Sequence, residues 1–201
     1  MTYDPQLSLL AIAVRNGDVT VLGAPGIDIQ LKSVRDETVC PGGLHFVEGG
    51  GLAAVSCDGT LRLWDLFSRQ LVGNIAGPLW IDESENFYAP VEVTASHYPG
   101  GGRHLFLGTR GGFVHVAQMS PRMRAVAYTV PPDPAATSAA AAAAAAASDG
   151  SVGEKDLGRV AALACCPTDN NQLLIGFASG ALLLWDFTAR KTRRSYRFVA
   201  P

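Results

Sequence analysis

The stretch LLIGFASGALLLWDF, from Leu173 to Phe187, decides the fold of this chain. Its apolar residues form two strand-length runs, Leu173–Phe177 and Ala181–Leu184, around the pair Ser179–Gly180. A small polar residue followed by glycine is typical of a hairpin turn, because glycine reaches positive φ without a clash at Cβ. The stretch therefore predicts two antiparallel strands joined by a tight turn.

The same pattern occurs at three earlier places. A near copy, LAAVSCDGTLRLWDL, covers Leu52–Leu66, and two weaker copies cover Leu10–Leu22 and Leu105–Ala117. The four turn glycines are Gly17, Gly59, Gly112 and Gly180. Their spacings are 42, 53 and 68 residues, and one blade of a WD-type propeller takes about 40–45 residues. The first spacing fits a blade directly, and the other two fit a blade with an insertion.

Further candidate strands flank these hairpins. They are Thr38–Val47, Val91–Tyr98 and Val160–Cys166 before the hairpins, and Arg69–Ile75, Met123–Val130 and Thr192–Val199 after them. Four strands per repeat make one propeller blade. We therefore predict an all-β, WD40-type β-propeller with about four blades of an incomplete seven-bladed ring, the blades lying near residues 4–46, 47–98, 99–130 and 157–199. An antiparallel sandwich explains the short strands but not the recurring turn.

Both insertions can be located in the sequence. Pro78–Pro90 is acidic and aromatic, and residues 131–156 contain the nine alanines Ala139–Ala147. Alanine favours a helix, but an isolated helix of this length is marginal in water. We interpret residues 131–156 as a disordered surface insertion between blades.

Trp-Asp occurs at the end of two predicted third strands, as Trp64–Asp65 and Trp185–Asp186. A tryptophan there can fill the widening space between adjacent blades, and the aspartate can accept hydrogen bonds where the strand ends. In the other two repeats Leu22 and Ala117 stand at the tryptophan position. Both dipeptides are interpreted as structural, together with the four turn glycines.

Composition narrows the function classes. The net charge is −2, with Lys+Arg 16 against Asp+Glu 18, so no overall field attracts nucleic acid. The 4 cysteines show no metal-binding spacing, and the sequence has no long apolar run typical of a membrane helix. No nucleophile elbow or phosphate-binding loop occurs. We expect no catalytic, metal or cofactor site, no transmembrane segment, and a cytoplasmic location, with peripheral association with the plasma membrane left open.

Five cations lie within eight residues near the end of the sequence, at Arg190, Lys191, Arg193, Arg194 and Arg197. A contact for acidic lipid or an acidic protein is one interpretation. We favour a charged outer strand, since charges oppose unwanted pairing at a sheet edge.

Three stretches resemble the lethal giant larvae/tomosyn family of WD-repeat SNARE-binding proteins. DPQLSLLAIAVRNGDVTVLGAPG, Asp4–Gly26, is similar to its opening blade, although Ala13 stands where a glycine is usual. LFLGTRGGFVHV, Leu105–Val116, and LLIGFASGALLLWDFTARK, Leu173–Lys191, are similar to its third and fourth blades. The stretch Gly23–Gly26 is the more specific match, because generic WD repeats have Trp-Asp there.

The resemblance implies a non-enzymatic scaffold that regulates SNARE-dependent vesicle fusion and polarised exocytosis. It implies binding to syntaxin- and SNAP-25-type SNAREs, with Rab GTPases or myosin II as further partners. A generic WD40 adaptor, such as a ubiquitin-ligase substrate receptor, is the alternative. Four blades do not close a ring, so we expect the N-terminal propeller portion of a larger protein or a truncated gene product, with poor solubility or a partner that supplies the missing blades.

Loops on the propeller rims are the expected partner-binding elements. The candidates are the 78–90 insertion, with Trp80, Phe87 and Tyr88 as anchors, and the segment around Gly23–Ile29. An aromatic loop can equally pack on its own blade, and both interpretations stay open.

Overall fold

All the regular secondary structure in the described residues consists of β-strands. The structure is a computed structural model. It describes residues 1–33, 38–75, 92–100, 102–119, 129–130 and 157–197. Its strands form four antiparallel four-stranded sheets, which confirms the predicted all-β propeller fold.

The first two sheets come from the first 75 residues. The first sheet contains β1 to β4 in chain order, with β1 Thr2–Asp4, β2 Leu9–Ala13, β3 Val19–Leu22 and β4 Asp28–Leu31. The second contains β5 to β8 in chain order, with β5 Val39–Val47, β6 Gly51–Ser56, β7 Leu61–Asp65 and β8 Gln70–Ile75. Each strand pairs with its neighbour in sequence, as in a propeller blade.

The third and fourth sheets repeat this order. The third contains β9 Val93–His97, β10 His104–Thr109, β11 Val114–Gln118 and β12 Thr129–Val130. The fourth contains β13 Val160–Cys166, β14 Asp169–Phe177, β15 Ala181–Asp186 and β16 Lys191–Arg197. Cations of the basic stretch therefore lie on an outermost strand, β16.

The sheets differ in their bounds from the predicted blades. Strand β5 pairs with β6 and belongs to the second sheet, whereas the prediction placed residues up to 46 in the first blade. Strand β9 likewise pairs with β10 in the third sheet, and not with the second blade that was expected to end at residue 98. Each turn glycine lies between the second and third strands of its sheet. A repeat counted from one glycine to the next therefore contains the second half of one sheet and the first half of the next.

The hairpin turns are one residue longer than the predicted pairs. The N–H of Gly59 donates to the Ser56 carbonyl over 3.0 Å, and the N–H of Ser56 donates to the Thr60 carbonyl over 2.8 Å. Three residues therefore form the loop, and only the glycine has positive φ, +84° at Gly59. Gly17, Gly112 and Gly180 have φ of +85°, +85° and +82°. This is the geometry of a three-residue loop that ends in a left-handed glycine.

Apolar side chains fill the three spaces between neighbouring sheets. One buried cluster joins the first and second sheets, a second joins the second and third, and a third joins the third and fourth. Burial of apolar area is the main force that holds such sheets together. The fold is therefore an arc of four blades, each packed against the next.

Candidate functional site

Both Trp-Asp tryptophans lie between neighbouring sheets. Trp64 packs in the cluster that joins the first and second sheets, and Trp185 packs in the cluster that joins the third and fourth. Each indole is only 3% exposed. Ala117 holds the equivalent place between the second and third sheets. Each of these side chains faces the preceding blade, so the dipeptide supplies packing between blades.

The two aspartates organise the turns that follow their strands. Oδ1 of Asp65 accepts the backbone N–H of Phe67 over 2.8 Å, and Oδ1 of Asp186 accepts that of Ala189 over 2.9 Å. The second oxygen of Asp186 also pairs with Arg193 at 2.6 Å. These hydrogen bonds lower the pKa of both carboxyl groups, because they stabilise the charged form.

One end of each sheet holds the turns next to the Trp-Asp positions. These turns lie at residues 5–8 and 23–27 in the first sheet, 48–50 and 66–69 in the second, and 167–168 and 187–190 in the fourth. In the third sheet, the segment that follows β9 lies at this same end. We call this end the Trp-Asp rim. The glycine turns lie at the opposite end, since β-strand partners alternate in direction.

The predicted anchors Trp80, Phe87 and Tyr88 lie outside the described residues, as does the whole 78–90 insertion and the alanine insertion at 131–156. The Gly23–Ile29 segment is described and lies on the Trp-Asp rim. The N–H of Gly23 donates to the Ile27 carbonyl over 3.1 Å, and Gly26 has φ of +95°. The predicted loop is shorter than expected, because β4 begins at Asp28 and Ile29 is buried in it.

A cleft of about 740 Å³ opens on the Trp-Asp rim near the innermost strands. It is lined by residues 2–7 of the first sheet, residues 45–50 of the second, and Tyr98 and Gly100 of the third. Turns from three blades therefore meet around one concavity. Its volume lies in the range typical of small-molecule binding sites.

Tyr98 fixes one wall of this cleft. Its hydroxyl donates to the Gly102 carbonyl over 2.6 Å. The hydroxyl also makes a hydrogen bond with the backbone of Glu48, which belongs to the second sheet. Burial and the nearby Glu48 carboxylate raise the pKa of the Tyr98 phenol. The phenol therefore stays protonated and joins the rims of the second and third sheets.

Hydrogen bonds across neighbouring innermost strands lie beneath the cleft. Nε2 of His45 lies 2.8 Å from Oγ of Ser96, and Oγ of Ser96 donates to the Gly42 carbonyl over 3.2 Å. The contact between His45 and Ser96 joins the innermost strands of the second and third sheets. Burial first and the nearby His97 second lower the pKa of His45 to about 4. An imidazole with so low a pKa is a weak base near pH 7, so this Ser-His pair is better suited to linking strands than to activating the serine.

The thiols differ in their acidity. Burial raises the pKa of Cys40 to about 12 and that of Cys165 to about 11. Hydrogen bonds from Thr168 lower the pKa of Cys166. All four cysteines are free thiols. A protonated thiol is a poor nucleophile, so neither Cys40 nor Cys165 suits covalent catalysis.

No group of three or more His, Cys, Asp or Glu side chains within the described ranges is arranged to hold a metal ion. The residues that the structure describes also include no helix with the length and hydropathy needed to cross a membrane.

Sequence reasoning missed the cleft. Of its residues, Tyr3 lies in β1, which was not predicted at all, and Leu7 and Glu48 lie in the turns that follow the innermost strands β1 and β5. Strand β1 has only three residues, and Tyr3 is the only one with a large apolar surface. So short a strand gives no alternation of apolar and polar residues that could be recognised in the sequence. The one usable signal is the run Glu48–Gly51, whose Gly49 and Gly50 have positive φ and permit a tight turn.

The curated relatives with significant similarity include lethal giant larvae proteins. The chain is 26% identical over 199 residues to rat "Lethal(2) giant larvae protein homolog 1", which covers 92% of this chain and 18% of the relative. It is 28% identical over 206 residues to human "LLGL scribble cell polarity complex component 2", which covers 98% of this chain and 19% of the relative. The chain thus spans less than a fifth of each relative's length. No protein-family model matches the chain.

Solved β-propellers share the fold. The β-propeller domain of Myceliophteria thermophila Cps50 (Swd1) superposes with a TM-score of 0.69 at 16% identity, over 99% of this chain and 54% of that one. Saccharomyces cerevisiae Sqt1 superposes with a TM-score of 0.66 at 16% identity, over 95% of this chain and 48% of that one. The predicted resemblance is confirmed: the chain is a WD40-type β-propeller chain that is similar over nearly its full length to lethal giant larvae proteins.

Proposed function

We propose that this chain is part of a non-enzymatic scaffold for cell polarity, which binds syntaxin- and SNAP-25-type SNAREs and regulates vesicle fusion in polarised exocytosis. The observation that carries the proposal is the similarity to lethal giant larvae proteins over 92% or more of the chain. Three relatives are named as scribble cell polarity complex components, which supports assembly with protein partners. Rab GTPases and myosin II are further candidates, and the tomosyn branch of the resemblance stays a prediction.

The chemistry of the described side chains supports a scaffold over an enzyme. Burial keeps the thiols of Cys40 and Cys165 protonated at neutral pH. His45 and His115, whose pKa values burial lowers to about 4, are neutral near pH 7. Such groups stabilise a framework and do not transfer protons near pH 7. We propose a cytoplasmic scaffold that associates with the plasma membrane peripherally.

The Trp-Asp rim is the proposed binding surface. Phe67 is 82% exposed in the turn after β7, next to the cleft residue Gly50, where a Cβ atom would collide with the phenyl ring. Exposed aromatic side chains beside a concavity are typical anchors of protein interfaces. A rigid framework with exposed turns also suits a protein whose work is to hold partners.

A binding experiment with purified syntaxin-type SNARE cytoplasmic domains tests this proposal. We expect saturable binding, weakened about fivefold or more by Phe67→Ala. The matched control is Val72→Ala, since Val72 is an exposed apolar residue on the outer strand β8 and lies outside the rim turns. Recovery of cullin-associated adaptors without any SNARE would favour the ubiquitin-ligase alternative instead.

A further inference from the structure

We propose that the cleft on the Trp-Asp rim binds a short peptide segment of a protein partner, and that this segment carries a lysine or arginine next to an apolar side chain. The proposal rests on the cleft residues alone and does not depend on the partner being a SNARE. Nothing in the similarity to known proteins assigns a function to these residues.

The charge of the cleft selects for a cation. Two carboxylates, Asp4 and Glu48, line it, and no lysine or arginine is among its lining residues. His45 adds no positive charge near neutral pH, because burial holds its pKa at about 4. A cleft with one sign of charge concentrates ligands of the opposite sign.

The apolar part of the cleft selects for a second side chain. Tyr3 is 59% exposed and Leu7 is 51% exposed, and both line the cleft together with the half-buried Phe46. Large apolar side chains that are exposed together around one concavity are typical of interaction sites, whereas single exposed apolar side chains are common on any protein surface. The tyrosine faces also attract an ammonium or guanidinium group.

The walls of the cleft are held in place before a ligand arrives. Oδ1 of Asp4 accepts the N–H of Gln6 over 2.8 Å and that of Leu7 over 3.2 Å, which fixes the first turn. The Tyr98 hydroxyl joins the second and third sheets on the other side. Preformed walls reduce the entropy lost on binding, so a short segment is enough to occupy the site.

Two immobilised libraries of nine-residue peptides test the proposal, one with a central lysine and one with a central glutamate at otherwise mixed positions. We expect the 201-residue chain to retain the lysine library preferentially, with binding that weakens as salt is added. The double variant Asp4→Asn, Glu48→Gln should bind about fivefold more weakly, since each exposed ion pair contributes modestly. Asparagine at position 4 keeps the oxygen that accepts the turn N–H groups.

Asp28→Asn is the matched control, because it makes the same carboxylate-to-amide change at an exposed residue outside the cleft. It should leave binding unchanged, whereas Leu7→Ser should weaken it through the apolar part. Equal retention of the glutamate library, retention of neither library, or an equal loss in Asp28→Asn would overturn the proposal. If the lysine library binds as expected and syntaxin-type SNAREs do not, the cleft inference stands and the SNARE proposal fails.

Discussion

The backbone N–H of Cys165 donates a hydrogen bond of 3.1 Å to Nε2 of His97 and so joins the innermost strands of the third and fourth sheets. The bond requires that Nε2 carry no proton, so the imidazole is neutral with its proton on Nδ1. His45 makes the corresponding link from the second sheet to the third through Ser96. Two histidine side chains thus hold three successive blades together at the centre of the arc.

These histidines predict a loss of stability in acid. Burial lowers the pKa of His97, and burial first and His97 second lower that of His45 to about 4. The unfolded chain, with histidine pKa near 6.5, therefore binds protons before the folded chain does. Stability should be complete above about pH 6.5 and should fall as the pH drops towards about 4.

Urea denaturation across this pH range measures the effect. His45→Gln keeps a side chain that can hydrogen-bond Ser96 but does not titrate, so the stability of this variant should fall less steeply between pH 6.5 and 4 than that of the wild type. Identical profiles for the two proteins would show that His45 does not contribute.

Gly108→Ala should destabilise the contact between the third and fourth sheets. A Cβ atom at Gly108 would meet Cβ of Val160 at 2.7 Å, and overpacking of this kind costs about 2 kcal/mol. At Gly111 a Cβ atom would come no closer than 3.4 Å to the Phe113 ring, so Gly111→Ala is the control. Denaturation midpoints compare them, and a loss in Gly111→Ala as large as that in Gly108→Ala would contradict the packing described.

Two adjacent leucines of β14 should respond differently to truncation. Leu173 is fully buried against the third sheet, so Leu173→Ala should lower the free energy of unfolding by about 3 kcal/mol. Leu174 points to the opposite face of the fourth sheet and is 37% exposed, and Leu174→Ala should cost under about 1 kcal/mol. Equal costs, measured by denaturant titration, would mean that both faces are covered in solution.

Thiol labelling should proceed in a fixed order. Hydrogen bonds lower the pKa of Cys166, whereas burial raises that of Cys40 to about 12. The thiolate is the reactive species, so iodoacetamide at pH 8 should modify Cys166 first and Cys40 last. Mass spectrometry of timed samples gives the order, and early modification of Cys40 in the folded chain would contradict its burial.

The sequence predicts the middle of each blade better than its edges. The turn glycine and the apolar runs beside it, as at Gly59 and Gly180, determine strands whose two faces are both covered. Strands β1 and β4 were not predicted, because they are short and about half of their residues are polar. The cleft could not be predicted, since Asp4, Glu48 and Tyr98 lie far apart in sequence and meet only when three blades pack. The predicted anchors Trp80, Phe87 and Tyr88 remain predictions.

Hydrogen exchange in the presence of a syntaxin-type SNARE domain tests the central claim, that the Trp-Asp rim is the surface through which this scaffold holds its partners. We predict slower amide exchange at residues 2–7 and 45–50 in the complex, with no change at the glycine turns of residues 14–18 and 56–60. Slower exchange at the glycine turns alone, or no change in either region at a saturating concentration of the SNARE domain, would contradict the claim.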